Sequence, residues 1–261
     1  MIYFIFVLGA IVGSFLNVCI HRFPRGESVV TPPSRCPACG KRLSPVDLLP
    51  LVGFVLLKGK CRYCGVKISP RYPLVELITA LAFAFSWHFT GGNIPYFLFQ
   101  AVFIAALIVI SFTDFEHLVV PDAASIVGIF AGLSYNFFRS LYAPAGSGLN
   151  PFLTSLFGML LGYALMFTIA KVGKFFYKKD IMGDGDYLIA AFLGAGLGWS
   201  GVLLALFLGC FVAASISVVF LILGKVKLGQ YIPFGPALAT GGIITLFYGD
   251  KILWWYFGLW Y

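Results

Sequence analysis

Long apolar runs with few charges recur along almost the whole chain, and they constrain its fold more than any other feature. Crossing roughly 30 Å of hydrocarbon takes about 20 residues of helix, and a helix satisfies its own backbone hydrogen bonds there. The chain is 60% hydrophobic and 11% charged, too little polar surface for a water-soluble globule. We therefore predict an all-α polytopic membrane protein with eight spans, the sixth of them short, at about 2–20, 72–89, 96–113, 122–141, 151–172, 187–199, 201–223 and 234–249.

The sixth and seventh predicted spans lie in one uncharged stretch from Tyr187 to Leu223. Small residues interrupt this stretch near its middle, at Gly194, Gly196, Gly198, Ser200 and Gly201. Because glycine weakens a helix and permits sharp turns, we predict a tight helical hairpin here rather than one very long helix.

Basic residues concentrate in alternate loops between the predicted spans. Ten of the 18 Lys and Arg residues lie in residues 21–71, four lie in 171–179, and two are Lys225 and Lys227. The positive-inside rule places such loops in the cytoplasm, which puts both termini on the far side of the membrane. The net charge of +8 therefore indicates orientation in a lipid bilayer, and no nucleic-acid partner is expected.

Four of the six cysteines form two close pairs in the most basic of these loops. Cys36 and Cys39 form one CxxC turn, Cys61 and Cys64 form another, and a glycine follows each pair. Two such turns supply the four thiolates of a tetrahedral zinc site, and a reducing cytoplasm disfavours the alternative of two disulfides. With no coordination position open, the zinc would be structural, and it would fold a zinc-ribbon-like insert too small and polar to fold alone.

Two clusters of acidic residues lie on the predicted cytoplasmic side. Asp114 ends the third apolar run, and Asp186 is the last polar residue before the uncharged stretch that follows. Two carboxylates at one depth on different helices could share a proton and activate water, one as base and the other as acid. Acids on helices also serve as proton relays in transporters, and an acid that flanks a span is commonly only solvated.

Seven short motifs follow one another along almost the whole chain. They are Gly13 to Val18 (GSFLNV), His21 to Glu27 (HRFPRGE), the cysteine quartet, Arg71 to Leu77 (RYPLVEL), the Asp114 cluster, Gly183 to Asp186 (GxGD) and Pro233 to Pro236 (PFGP). This ordered set resembles the type IV prepilin peptidase family, and the GxGD motif is also similar to that of presenilin-type intramembrane proteases. The chain departs from the family pattern at Leu188, where a lysine is usual.

The resemblance implies an aspartyl endopeptidase in the bacterial inner membrane with a second, S-adenosylmethionine-dependent N-methyltransferase activity. Such an enzyme cleaves the leader of a type IV prepilin or pseudopilin after a glycine and then methylates the new N-terminal amine. In that family the aspartates matching Asp114 and Asp186 are the catalytic pair, and the cysteine-containing loop belongs with methyl transfer. We therefore divide the chain into a methyltransferase-associated region, 1–89, and a six-span peptidase region, 90–261.

The sequence defines a site for S-adenosylmethionine less clearly than it defines the aspartate pair. Glu76 lies four residues into an apolar span and could hold the substrate ammonium or the methionine amine of the cofactor. An interfacial ion pair of Glu76 with Arg71 or Arg22 is an equal alternative. Asn17, His21 and Arg22 could orient such a site, or they could only cap and anchor the first span.

Two other classes of function fit parts of the pattern. A proton-coupled transporter would use the two aspartates as a relay, and it predicts substrate flux without leader cleavage. A membrane scaffold with a zinc ribbon would tolerate neutralisation of both aspartates. Four further acids, Glu116, Asp122, Asp180 and Asp184, could attract a basic leader, or they could be ordinary solvated groups at the membrane interface.

Overall fold

The computed structural model describes residues 1–142, 149–178, 182–225 and 232–258, so Asp180 and Lys227 lie outside the described residues. Across these ranges the regular structure is helical, apart from two isolated bridges in the cysteine-containing insert. A 3-10 turn, Phe23–Arg25, follows the first helix. The helices are α1 Ile2–Arg22, α2 Val52–Leu56, α3 Arg71–Phe89, α4 Ile94–His117, α5 Asp122–Leu141, α6 Pro151–Tyr177, α7 Asp184–Ile222 and α8 Gly235–Gly258.

Several of these helices can cross a membrane by length and composition. Among the described residues the segments that qualify are Ile2–Arg25, Arg71–Phe89, Ile94–His117, Pro151–Tyr177 and Asp184–Ile222. Each of the eight predicted apolar runs falls on a helix, and the sixth and seventh both fall on α7. The predicted all-α polytopic class is confirmed, whereas the number of crossings stays a prediction.

Helix α7 is broken at Gly198, whose φ of 74° and ψ of −177° are not helical. Only glycine adopts this region of backbone space readily. Ala190 before the break and Val202 after it both lie against Gly162 of α6. Twelve residues of straight helix would separate those two positions by about 18 Å, so α7 folds back on itself as the predicted hairpin requires.

The chain divides into two compact units, an N-terminal unit, Met1–Val109, and a C-terminal unit, Ile110–Tyr261. In the N-terminal unit, α1 packs closely against α3, since a Cβ added to Gly13 would lie only 2.7 Å from the Glu76 Cα. Small residues allow such close approach of membrane helices. This packing sets the Glu76 side chain beside the middle of α1.

In the C-terminal unit, α7 packs against α5, α6 and α8. Glycines permit these contacts, because a Cβ added to Gly132 of α5 would lie 2.6 Å from the Ala195 carbonyl oxygen of α7. The Asn136 amide of α5 also donates a hydrogen bond to that carbonyl at 3.3 Å. Helix α7 is therefore the helix around which this unit is built, and Asp186 lies in its first turn.

Candidate active site

Asp114 lies in the last turn of α4 and is buried, with 2% of its surface exposed. The Gly235 amide, at the start of α8, donates a hydrogen bond to Asp114 Oδ2 at 2.7 Å. Gly235 also packs directly against the carboxyl group, since an added Cβ would lie 2.9 Å from the same oxygen and 3.1 Å from the Asp114 Cβ. The start of α8 therefore fixes the position of this carboxylate.

Asp186 lies in the first turn of α7 and is also buried, with 4% of its surface exposed. The Gly183 amide donates a hydrogen bond to Asp186 Oδ2 at 3.2 Å. An acidic residue at the third position of a helix commonly reaches back to the amide that precedes the helix, and negative charge is favourable there. The local sequence therefore contributes to the orientation of Asp186.

The structure brings Asp114 and Asp186 together from different helices of the C-terminal unit. The two carboxyl groups are close enough to interact electrostatically. Because two nearby negative charges in a low dielectric repel each other, such a pair favours a state in which only one of the two carboxyl groups is ionised. The arrangement can polarise a water molecule, with the ionised carboxylate as base and the protonated carboxyl group as acid.

The other acids of the two clusters are placed differently. Asp122 and Asp184 are exposed, and Glu116 Oε2 lies 3.8 Å from His117 Nε2. Burial therefore separates the Asp114 and Asp186 pair from its acidic neighbours. Leu188, which replaces the usual lysine, is half-buried in α7 and leaves this position without a charge.

Two glycines shape the site in ways that the sequence motifs alone do not predict. Gly235 contributes a backbone amide, and a donor of that kind leaves no side-chain pattern to recognise. Gly185, inside the GxGD motif, packs against Val120, because an added Cβ would lie 2.5 Å from the Val120 Cβ. By contrast, a Cβ added to Gly183 would meet nothing nearer than Asp186 Oδ2 at 4.0 Å.

The four predicted zinc ligands converge at one point of the insert. The Sγ atoms of Cys36, Cys39, Cys61 and Cys64 all lie within 4.8 Å of one another, and the sulfurs of Cys36 and Cys64 are 3.9 Å apart. All four are free cysteines, not disulfides. In a tetrahedral site with Zn–S bonds of about 2.3 Å, the sulfurs lie about 3.8 Å apart, so these residues fit a structural zinc ion.

Each CxxC pair lies in a tight turn that its glycine makes possible. The Gly40 amide donates to the Cys36 carbonyl at 2.8 Å, and the Gly65 amide donates to the Cys61 carbonyl at 2.9 Å. Gly40 and Gly65 have φ angles of 69° and 71°, in the left-handed region that favours glycine. The glycine after each pair therefore closes the turn that points two thiols at one centre.

The thiol of Cys64 is held in its protonated form by its neighbours. A backbone hydrogen bond with Val66 lowers the pKa of Cys64, but desolvation and hydrogen bonds with the other three thiols outweigh it and raise the pKa to about 11. Zinc binds thiolates rather than thiols, so it must displace protons from this cluster.

Asp47 connects the segment between the CxxC turns to the second turn. Its carboxylate accepts hydrogen bonds from Arg62 Nε at 2.7 Å and from the Ser44 amide at 3.0 Å. Desolvation raises the pKa of Asp47, but the hydrogen bonds from Ser44 and the ion pair with Arg62 outweigh it and keep the pKa below its usual value. Asp47 therefore contributes stability above its unfolded-state pKa and loses it only as the pH falls through the lowered value.

Asn17 and Glu76 are both buried where α1 meets α3. The Asn17 side-chain amide donates to the Tyr72 carbonyl at 3.0 Å, and within the described ranges its Oδ1 has no hydrogen-bond partner. The Leu51 amide donates to Glu76 Oε2 at 2.8 Å, and the Ser14 hydroxyl is a further partner of that carboxylate. Among the described residues, the partners found for the Glu76 carboxylate, Leu51 and Ser14, are thus neutral groups.

Arg22 and His21 lie at the end of α1. The Arg22 guanidinium donates to the Ser28 carbonyl at 2.7 Å and to the Pro32 carbonyl at 2.6 Å. Arg25 donates to the His21 carbonyl. These contacts hold the loop that follows α1, which favours an anchoring role for Arg22 over contact with a cofactor.

Comparison with known proteins matches both parts of the chain. Residues 7–89 match the family described as Bacterial Peptidase A24 N-terminal domain, and residues 101–218 match the Type IV leader peptidase family. No solved structure matches the chain. The helical fold, the buried pair of carboxyl groups and the family matches together define the class of protein. It is a polytopic membrane protein of the aspartyl peptidase class.

Three relatives, each named prepilin leader peptidase/N-methyltransferase, are similar to the chain over nearly their whole length. The Pseudomonas aeruginosa protein is 35% identical over 94% of this chain and 90% of its own length. The Bacillus subtilis protein is 33% identical over 97% of this chain and 96% of its own length. The Neisseria gonorrhoeae protein is 32% identical over 95% of this chain and 92% of its own length. The chain belongs to the type IV leader peptidase family.

Proposed function

We propose that this chain removes the leader peptide of a type IV prepilin or pseudopilin and then methylates the new N-terminal amine. The observation that carries the proposal is the pair of buried, interacting carboxyl groups on α4 and α7, Asp114 and Asp186. The names of the relatives support both activities. The transporter hypothesis gains no such support.

The carboxyl pair suits hydrolysis of a peptide bond. The ionised carboxylate takes a proton from water, whose oxygen then adds to the scissile carbonyl carbon. The carbon–nitrogen bond breaks as the protonated carboxyl group gives its proton to the leaving amine. The amide donors of Gly235 and Gly183 hold the two carboxyl groups in the orientation that these transfers need.

The substrate class fits a site at the edge of the bilayer. A prepilin has a short basic leader followed by an apolar helix, so its scissile bond lies where a membrane segment meets water. Asp114 ends α4 and Asp186 begins α7, which sets both acids at the ends of apolar helices rather than at their centres. The excess of basic residues in the same set of loops favours the cytoplasmic face.

The N-terminal region, residues 1–89, supports methyl transfer in this proposal. S-adenosylmethionine supplies the methyl group, and the chain must hold its charged groups and the incoming amine. The Glu76 carboxylate is a buried acceptor suited to an ammonium group, and Asn17 Oδ1 is a buried acceptor with no partner in the part of the chain described. The cysteine quartet would hold a structural zinc ion that folds the insert beside these residues.

The decisive experiment neutralises each aspartate and measures leader removal by mass after co-expression with a prepilin. We expect Asp114→Asn and Asp186→Asn each to slow cleavage by at least about a hundredfold, because neither amide can transfer the proton. Asp122→Asn and Asp184→Asn are matched controls in the same two clusters, and we expect them to stay within roughly threefold of wild type. Either of the first two variants cleaving at the wild-type rate would exclude the assignment, and so would an intact leader in wild type.

A further inference from the structure

The insert contains an apolar stretch that neither the zinc site nor the carboxyl pair explains. Residues 46–57, here the 46–57 segment, lie between the two CxxC turns and include α2. Large apolar side chains of this segment are exposed, namely Val46, Leu48, Leu49, Val52, Val55 and Leu56. A polar insert in water rarely leaves so many neighbouring apolar side chains uncovered.

We propose that the 46–57 segment inserts into the membrane interface and anchors the zinc-binding insert to lipid. Its position relative to α1 and α3 is the main argument. The Leu51 amide donates to Glu76 Oε2 at 2.8 Å, and the Ser14 hydroxyl is a partner of the same carboxylate. Ser14 precedes Arg22 by eight residues, so Leu51 lies about 12 Å along α1 from its basic end.

That distance is slightly greater than the depth at which the apolar faces of interfacial segments lie. Such segments bury their apolar face roughly 5–10 Å into the boundary between headgroups and acyl chains. The basic end of α1, at His21 and Arg22, marks the level of the headgroups in the predicted topology. The 46–57 segment therefore reaches the apolar layer although its sequence is too short to span it.

Backbone amides of the segment have hydrogen-bond partners inside the protein, as a lipid environment requires. An amide exposed to hydrocarbon needs a partner inside the protein. Consecutive turns supply such partners through backbone hydrogen bonds. The amides of Leu48, Gly53 and Leu57 donate to the carbonyls of Pro45 at 3.2 Å, Leu49 at 2.8 Å and Gly53 at 3.0 Å, respectively. The Leu51 amide, in a residue with a φ of 61°, is satisfied instead by the Glu76 carboxylate.

The charges around the segment favour anionic lipid over an apolar protein partner. Lysines follow it directly, at Lys58, Lys60 and Lys67. The acid within the segment, Asp47, is already paired with Arg62. A short apolar stretch beside a cluster of basic residues is the pattern of a segment that inserts into a negatively charged membrane surface.

A photoreactive side chain can test this placement in the full chain. Val55 and Val30 are both exposed, at 71% and 81%, but only Val55 belongs to the 46–57 segment. We would place p-benzoylphenylalanine at one position or the other and reconstitute the protein in vesicles of phosphatidylethanolamine and phosphatidylglycerol. After illumination, we expect a protein carrying one added phospholipid mass at position 55, several-fold more than at position 30.

Several results would overturn the proposal. These are equal lipid labelling at both positions, no lipid labelling at position 55, and labelling of an added prepilin in place of lipid. Bound zinc reports whether each variant has folded, and Val52 offers the same test if the change at position 55 prevents folding. The proposal does not depend on peptidase activity, so cleavage of the prepilin has no bearing on this readout.

Discussion

The cysteine insert and the C-terminal unit hold their important groups in place by opposite means. In the insert, four thiols converge from short turns, and the Asp47 ion pair with Arg62 adds one further link. In the C-terminal unit, glycines let helices approach backbone to backbone, and amide donors fix two carboxyl groups. We therefore expect the insert to lose its fold when a cysteine ligand is removed. We expect the candidate active site to lose its geometry when a glycine is replaced by alanine.

The largest expected loss of leader cleavage in this comparison comes from its active-site half. Gly235→Ala adds a Cβ 2.9 Å from Asp114 Oδ2, so α8 or the carboxyl group must move. We expect cleavage to slow by about a hundredfold, since a displacement near 1 Å at a reacting group has that effect. Gly258→Ala, at the other end of α8 with nothing within 4 Å, is the control. Equal rates for the two variants would show that close packing at Gly235 is unimportant.

The insert is tested by removing its thiols. Cys36→Ser combined with Cys61→Ser should reduce bound zinc to near zero and remove about 10 kcal/mol or more of zinc-linked folding free energy from the insert. We expect N-methylation of a pre-cleaved pilin peptide to fall more than leader cleavage does. Zinc content, methylation and cleavage are measured on the same preparation. Equal loss of both activities would mean that the insert only folds the protein.

The GxGD motif allows a comparison between its own two glycines. Gly185→Ala forces the added Cβ against Val120. In Gly183→Ala, the nearest atom to the added Cβ is Asp186 Oδ2 at 4.0 Å. We expect cleavage to slow by roughly tenfold or more in the first variant and to change less than about twofold in the second. The opposite order would mean that backbone freedom at residue 183 matters more than packing at residue 185.

The affinity of the insert for zinc should also depend on pH. With the pKa of Cys64 raised to about 11, its thiol is protonated before metal binds at any neutral pH. Zinc affinity should therefore rise with pH, by roughly tenfold per unit for each proton displaced. Competition with a chelator between pH 6.5 and 8 measures this slope. A flat profile would contradict the protonated state expected for the Cys64 thiol before metal binds.

The sequence predicts the helices well because apolar length alone decides where a chain can cross a bilayer. The hairpin was predictable from the glycines around Gly198, and the cysteine spacing predicted the convergence that the structure shows. The meeting of Asp114 with Asp186 was a hypothesis only, since residues so far apart in sequence meet through the packing of whole helices. The 46–57 segment is too short to be predicted as a span. The PFGP motif contains Gly235 but does not predict that the Gly235 amide binds the Asp114 carboxylate.

The break at Gly198 decides where the last part of the chain can act. Continued as a straight rod, the 39 residues of α7 would measure about 58 Å and would deliver the following loop to the opposite side of the bilayer. Because the two backbone torsion angles of Gly198 turn the chain around, α8 begins on the side on which Asp186 lies, and Gly235 reaches Asp114. Gly198, a residue without a side chain, thus determines whether the Gly235 amide lies at the same end of the helices as Asp114 and Asp186.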